Sequence, residues 1–243
     1  MDNTITLPET PATSPLEHNL GAHFDALARF PSTKALRASA LYAELRAEIE
    51  GVLGSVVQED FAPRGVSVAP SSASRAIRAT AWNIERGTRL EGIIRVLREH
   101  PLVGASDVLL LTELDYGMAR SLNRFVAREI AESLGFNYVF APCYLALNKG
   151  SGLESEVAGE NRQALHGNAL LSRYPLRRAH SLALPNGKDK LKGKEKRLGC
   201  QRAVVADVEH PSGTFRAVSL HLDAHSTQRH RARPMRIVLD HLE

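Results

Sequence analysis

The chain has little cysteine: Cys143 and Cys200 are its two, far apart and without a Cys-x-x-Cys partner. That spacing argues against a disulfide framework or a thiolate zinc site and leaves both as expected free thiols. No run of about eighteen apolar residues occurs, so no spanning helix is expected. The first thirty residues, broken by prolines and acids, hold no apolar stretch of a secretory signal, and the default compartment is the cytoplasm. Aromatic residues are 5% of the chain, too few for a platform that stacks single-stranded bases, although contacts to a phosphate backbone need none. The Gly-x-x-x-x-Gly-Lys loop, the Gly-x-Gly-x-x-Gly turn and the Gly-x-Ser-x-Gly elbow are also missing. No phosphate loop, dinucleotide turn or serine-hydrolase site is therefore read.

What is present is enough apolar sequence, 43% of 243 residues, to build one large domain or two small ones. The formal net charge is +4 and unevenly placed. Lys188, Lys190, Lys192, Lys194, Lys196 and Arg197 stand against only Asp189 and Glu195, so this one segment equals the excess of the whole chain. Such a loop attracts phosphates over about 8 to 10 Å; a solvated loop that keeps the protein soluble is an equally good reading of it. Arg229, Arg231, Arg233 and Arg236 with His230 form a second basic cluster, either a charged helix face or part of a sequence-independent nucleic-acid footprint.

Residues 1–31 read as a flexible arm with at most a short helix around His23 to Arg29. From Ser32 to Val57, apolar positions from Leu36 to Val56 recur at helical spacing behind a Ser32/Thr33 cap, which predicts one amphipathic helix over 32–57. Residues 58–74, with Pro63, Gly65, Pro70 and several serines, predict a linker. From Arg75, β-rich runs alternate with helices, the sign of an α/β layered domain over 75–243. Strands are expected at Ile77–Asn83, Asp107–Glu113, Asn137–Ala141, Gly167–Ser172, His180–Leu184, Gln201–Val208 and Phe215–Leu222. Helices are expected around Leu90–Leu97, at Leu122–Leu134 with Ser121 as cap and Gly135 as stop, and over Ser226–Glu243, where Pro234 marks a first turn or a kink. The Asn148–Leu165 stretch is a long Gly, Ser and Glu-rich loop.

Several polar residues stand where chemistry would need them. Glu113 ends a strand that is otherwise apolar, and a buried carboxylate needs a cation, either an arginine or a hard divalent ion. Asn83 ends the preceding strand and is a metal ligand, a carboxylate-orienting amide or a turn-starting Asn. His221 closes a later strand beside Asp223 and His225; no third ligand pair supports zinc there, and a phosphate-contacting or proton-managing role fits better. Arg202 opens a strand with a side chain suited to planar phosphate contacts, or to a surface ion pair. Asn168, beside Gly167, is a donor to a substrate oxygen or a turn residue.

The order of these pieces resembles the endonuclease/exonuclease/phosphatase family: Trp82-Asn83-Ile84-Glu85, then Leu110-Leu111-Thr112-Glu113-Leu114-Asp115, then Gly167-Asn168-Ala169-Leu170-Leu171-Ser172-Arg173-Tyr174-Pro175-Leu176, then Ser219-Leu220-His221-Leu222 before an Arg-rich helix. The likeness covers about Arg75 to Glu243 and is silent on substrate. It implies part of a four-layer α/β sandwich, two mixed sheets flanked by helices, preceded here by a helical amino-terminal extension. It implies a divalent-metal-dependent phosphoester hydrolase of nuclease or phosphatase type, with Glu113 and Asn83 at a Mg²⁺ or Mn²⁺ ion, His221 at the scissile phosphate and Arg202 and Asn168 as phosphate contacts. The partner implied is a phosphoester substrate, nucleic acid among the options. Family members continue with a Gly-Asp-x-Asn strand and a later Asp-His pair. This sequence has no Gly-Asp dipeptide, and Asp240-His241 lies in the expected last helix. The expectation is thus an incomplete domain, weak or inactive as written, with a non-catalytic polyanion-binding half-domain as the alternative.

Overall fold

The computed structural model describes residues 16–63, 76–223 and 226–243. A first sheet holds β1 (Val57–Asp60), β2 (Ala79–Arg86), β3 (Val108–Tyr116), β4 (Asn137–Ala146), β5 (Leu165–Ser172) and β7 (Arg197–Gly199). Its order is β1-β4-β5-β3-β2, with β7 also on β4. Only β2 and β3 run parallel; the other pairs are antiparallel. β6 (Leu176–Leu184), β8 (Gln201–His210) and β9 (Gly213–Ser219) form a second, antiparallel sheet in the order β6-β8-β9. Every residue of β4 and β5 is buried, as expected for central strands covered on both faces.

The two sheets meet through Val108, Val139, Ala141 and Leu170 on one side and Leu176, Val204, Ala206 and Val208 on the other. The opposite face of the first sheet is covered by α4 (Leu90–Glu99) and α5 (Val126–Leu134), whose Ile93, Leu97 and Ile130 join the largest core. α6 (Gln228–Leu242) covers the outer face of the second sheet with Val238 against Leu184 and Ala203. The layers are therefore helices, sheet, sheet, helix: an α/β sandwich of the expected class. Among the described residues no helix is long and apolar enough to cross a membrane.

The amino-terminal region departs from expectation. α1 (Phe24–Ala28), α2 (Thr33–Arg37) and α3 (Ala40–Gly54) pack into the same core as the sheet. Leu20 and Leu27, inside the segment read as a flexible arm, are wholly buried, a contribution of roughly 1.5–3 kcal/mol each. The single helix expected over 32–57 is two, because Ser32 caps one by accepting from Ala35 N and Ser39 caps a second by accepting from Tyr42 N. Each cap satisfies helix-start N–H groups that an unbroken helix would not expose. Val57 opens β1, and residues 58–60 of the expected linker pair with β4; residues 64–74 lie outside the described residues.

Other boundaries moved for local reasons. α5 starts at Val126 rather than near Leu122, since Leu122 and Asn123 are left-handed (φ 58 and 56) after a 3₁₀ turn at Ala119–Ser121. Gly135 does end α5, in the left-handed conformation. β9 stops at Ser219, short of His221, and the Ser219 hydroxyl donates across the sandwich to Leu111 O at 3.0 Å. Pro234 lies inside α6, beyond its first turn.

Candidate active site

Two bulges shape the site. Between Thr112 and Leu114 the pairing of β3 with β5 slips by one residue, and the residue left over is Glu113, at φ 60. A left-handed conformation costs a non-glycine residue roughly 1–2 kcal/mol, and here it re-aims a carboxylate that an even strand would place elsewhere. Asn168 holds the bulge: its Oδ1 accepts from Glu113 N at 3.4 Å while its Nδ2 donates to Arg202 O at 2.9 Å. Gly167 is needed beside it, because a Cβ there would lie 2.2 Å from Ala141 O. On β2 the register also shifts between Asn83 and Arg86, with Glu85 and Arg86 left-handed, and Asn83 Oδ1 accepts from Glu85 N at 3.0 Å.

The bulges bring Asn83, Arg86, Glu113 and His221 together. Asn83 Nδ2 donates to Glu113 Oε1 at 3.0 Å, Arg86 Nη1 lies 3.4 Å from Oε2, and His221 Nε2 lies 3.6 Å from Oε1. Glu113 keeps 22% of its side chain exposed, facing a cleft of about 930 Å³. Burial holds the His221 imidazole below its ordinary value, against the partly opposing pull of Glu113, so it is neutral at pH 7.

The basic loop forms another wall: Lys188, Lys190, Lys192, Lys194 and Arg197 all line the cleft. The loop is built rather than merely solvated. Asp189 accepts from Thr33 N at 2.9 Å and Leu191 N at 3.1 Å, tying the loop to the start of α2, and Lys190 Nζ donates to Asp223 Oδ2 at 2.7 Å. That Asp223 contact accounts for part of the His221-x-Asp223-x-His225 pattern; His225 lies outside the described residues.

Beneath the cleft lies a network that the sequence did not reveal. Asp115, with no exposed surface, receives Arg120 Nε at 2.7 Å and Nη2 at 2.9 Å, and His166 Nδ1 at 2.8 Å. Facing a carboxylate, that ring nitrogen is the donor. Arg120 Nη1 reaches out to Glu195 Oε1 at 2.9 Å and Glu154 Oε2 at 3.2 Å, so one buried guanidinium anchors both the basic loop and the Asn148–Leu165 loop. Arg86 Nε lies 2.9 Å from Glu154 Oε1 but off the hydrogen-bonding direction, an ion pair only. Burial alone would raise the Asp115 and Glu195 carboxyls, but hydrogen bonds from Arg120 and His166 to the first, and from Arg197 to the second, outweigh it and hold both low.

A stability prediction follows from that sign. Groups depressed in the folded state contribute fully above the unfolded carboxylate value, near 4, and lose the contribution as pH falls through their lower folded values. Thermal melts should therefore be nearly flat in this contribution from pH 7 to 5 and drop below about pH 4. A midpoint that rises on acidification below pH 4 would contradict the network.

Of the sequence candidates, Arg202 does not reach the cleft and Asn168 borders it from a buried position. Arg202 donates from Nη1 to Ser181 Oγ at 2.7 Å and lines a separate cavity of about 210 Å³ with Arg37, Tyr42 and Cys200. Val204 and Ala206 face the first sheet, and strand alternation puts Arg202 on that same side, toward the amino-terminal helices. Asn168 borders the cleft but is 2% exposed, and its contacts to Glu113 N and Arg202 O hold the Glu113 bulge in place. Cys143 and Cys200 are free thiols, and burial pushes Cys143 up to about 12, which makes it a poor nucleophile.

Residues 80–240 match the sequence model of the Endonuclease/Exonuclease/phosphatase family. A solved structure of an endonuclease/exonuclease/phosphatase family protein from Leptotrichia buccalis C-1013-b is similar at 11% identity and a TM-score of 0.45, over 69% of this chain and 64% of that one. This chain thus spans 64% of that protein's length. No curated protein matches. With its sandwich of two sheets and a match over most of its length, the chain belongs to the endonuclease/exonuclease/phosphatase family.

Proposed function

We propose that the Glu113 cleft hydrolyses a phosphoester with the help of a Mg²⁺ or Mn²⁺ ion. Family membership supports phosphoester hydrolysis in general. The observation that carries the finer reading is a carboxylate turned by a bulge into a cleft whose wall is cationic, with an imidazole nitrogen 3.6 Å away. The donor chemistry fits a hard ion, which takes one or two carboxylates and completes its shell with waters and phosphate oxygens. Glu113 would hold it, with Asn83 fixing Oε1 through its amide nitrogen. When bound, the ion polarises the phosphoryl group and neutralises developing charge.

The remaining work falls to the chain's own groups. His221, uncharged at neutral pH, donates a hydrogen bond to a phosphate oxygen or accepts a proton from an attacking water. The lysines of the basic loop hold an extended polyanion, nucleic acid being one such substrate, by long-range attraction. The same loop favours a second reading, a module that binds polyanions without turning them over.

An assay of bis(p-nitrophenyl) phosphate and of duplex DNA, with Mn²⁺ or Mg²⁺ and with chelator, separates the two. Turnover that disappears with chelator and returns with metal is the expected result. DNA binding that falls steeply with salt, needs no metal and gives no product would replace hydrolysis with the binding reading.

A further inference from the structure

Far from Glu113 in sequence and on the outer face of the second sheet, β6 and α6 bring two histidines together. His180 Nε2 and His241 Nε2 are 2.8 Å apart, with their rings inclined at 62°. His180 Nδ1 lies 2.7 Å from Arg178 O. A carbonyl only accepts, so Nδ1 carries the proton and Nε2 presents its lone pair toward His241.

We infer that His180 and His241 form a two-imidazole site for a borderline divalent transition ion such as Zn²⁺ or Cu²⁺, separate from the hydrolytic cleft. Imidazole nitrogen suits these ions, whereas Mg²⁺ prefers oxygen. The Arg178 carbonyl supplies the partner that ligating histidines almost always have on their other ring nitrogen, fixing tautomer and ring direction. At metal–nitrogen bonds of 2.0–2.1 Å, two ligands of a tetrahedral ion stand about 3.3 Å apart, so the rings must separate by about half an ångström and each tilt by roughly 35° for both lone pairs to converge on the ion.

The protons balance. Without metal, His241 Nε2–H donates to His180 Nε2; on binding, the His241 proton moves through solvent to its Nδ1, and two nitrogen–metal bonds replace one hydrogen bond. No net proton is released from the neutral pair. Burial, His180 and Arg216 together hold the His241 imidazole below its ordinary value. Arg178 and Arg216 both pair with Asp207, which offsets part of their repulsion toward a cation. Among the described residues no group of three or more His, Cys, Asp or Glu converges on a metal position, so water completes the shell and the affinity is that of a two-ligand site. The ion would clamp the last turn of α6 to β6, at the end of a helix that buries only Pro234 and Val238.

The test is calorimetric titration of the full chain with ZnCl₂ at pH 7.5, beside His180→Asn and His241→Asn. The wild type should take up one equivalent more than either variant, and Zn²⁺ should raise its melting temperature more than theirs. With CuCl₂, electron paramagnetic resonance should show two nitrogen ligands on that ion, reduced by either substitution. Glu113→Gln should keep the extra equivalent, so failure here is distinguishable from failure of the hydrolytic reading. Neither histidine belongs to the core, and His241→Gln repeats the test at an exposed position. Equal stoichiometry and equal affinity in wild type and histidine variants would overturn the site and leave the pair as a plain hydrogen bond.

Discussion

Glu113→Gln is expected to lower metal-dependent phosphoester turnover by roughly 10³-fold or more, the scale on which removing one charge-stabilising group acts within a cooperating set. The substitution keeps the shape of the side chain and the Asn83 contact but removes the negative charge that would hold a divalent ion. KM for the polyanion should change far less than kcat, since the lysines that attract it are untouched. Glu113→Gly makes the test sharper. Glycine adopts the left-handed conformation without the penalty of roughly 1–2 kcal/mol that glutamate carries, and loses about 0.5–1 kcal/mol in chain entropy. A purely structural Glu113 would melt earlier when removed. A functional one, held in strain, should leave the glycine variant inactive with a melting temperature equal to or above that of the wild type. Wild-type kcat in Glu113→Gln would end the assignment.

That strain also marks the limit of what the sequence could disclose. β3 was legible because Val108 to Leu111 are apolar on both faces, but Asn83 and Glu113, expected at strand ends, lie inside β2 and β3 at their register shifts, and His221 lies two residues beyond the end of β9. What periodicity cannot carry is a bulge: an even strand gives no sign that Glu113 is turned out of register, or that Asn168 is consumed in holding it there. β4 runs to Ala146 through Pro142, a residue that reads as a strand stop, because a register shift between Pro142 and Tyr144 spares the ladder the missing N–H. β1 escaped notice because four residues, Val-Gln-Glu-Asp, become a strand only by pairing with β4. In the amino-terminal helices the apolar spacing runs straight across the break at Ser39, and only the second cap betrays it. Asp115, Arg120 and His166 come from β3, a 3₁₀ turn and β5; no spacing links them, and a second carboxylate two residues after Glu113 was the one available signal.

Arg120→Met should be the most destabilising single change in the cleft region. The Arg120 and Asp115 side chains are 1% and 0% exposed, and their two hydrogen bonds are short and parallel. Methionine fills similar volume but leaves Asp115 with His166 alone and takes the shared cation away from Glu154 and Glu195. Removing one partner of a buried pair costs roughly 3–5 kcal/mol. For a chain of this size each kcal/mol lowers the midpoint by roughly 2–4 °C, so the melting temperature should fall by about 10 °C. The pH dependence should change sign as well. With Arg120 gone, burial dominates at Asp115 and raises its carboxyl above the unfolded value, so protonation now stabilises the fold and the loss at neutral pH is partly recovered toward pH 5. Asp115→Asn combined with Arg120→Met should cost less than the two single changes together, because the unpaired charge is gone. A single Arg120→Met variant melting within about 2 °C of the wild type, against the 3–5 kcal/mol expected, would mean that the buried network is not what holds the two loops over Glu113.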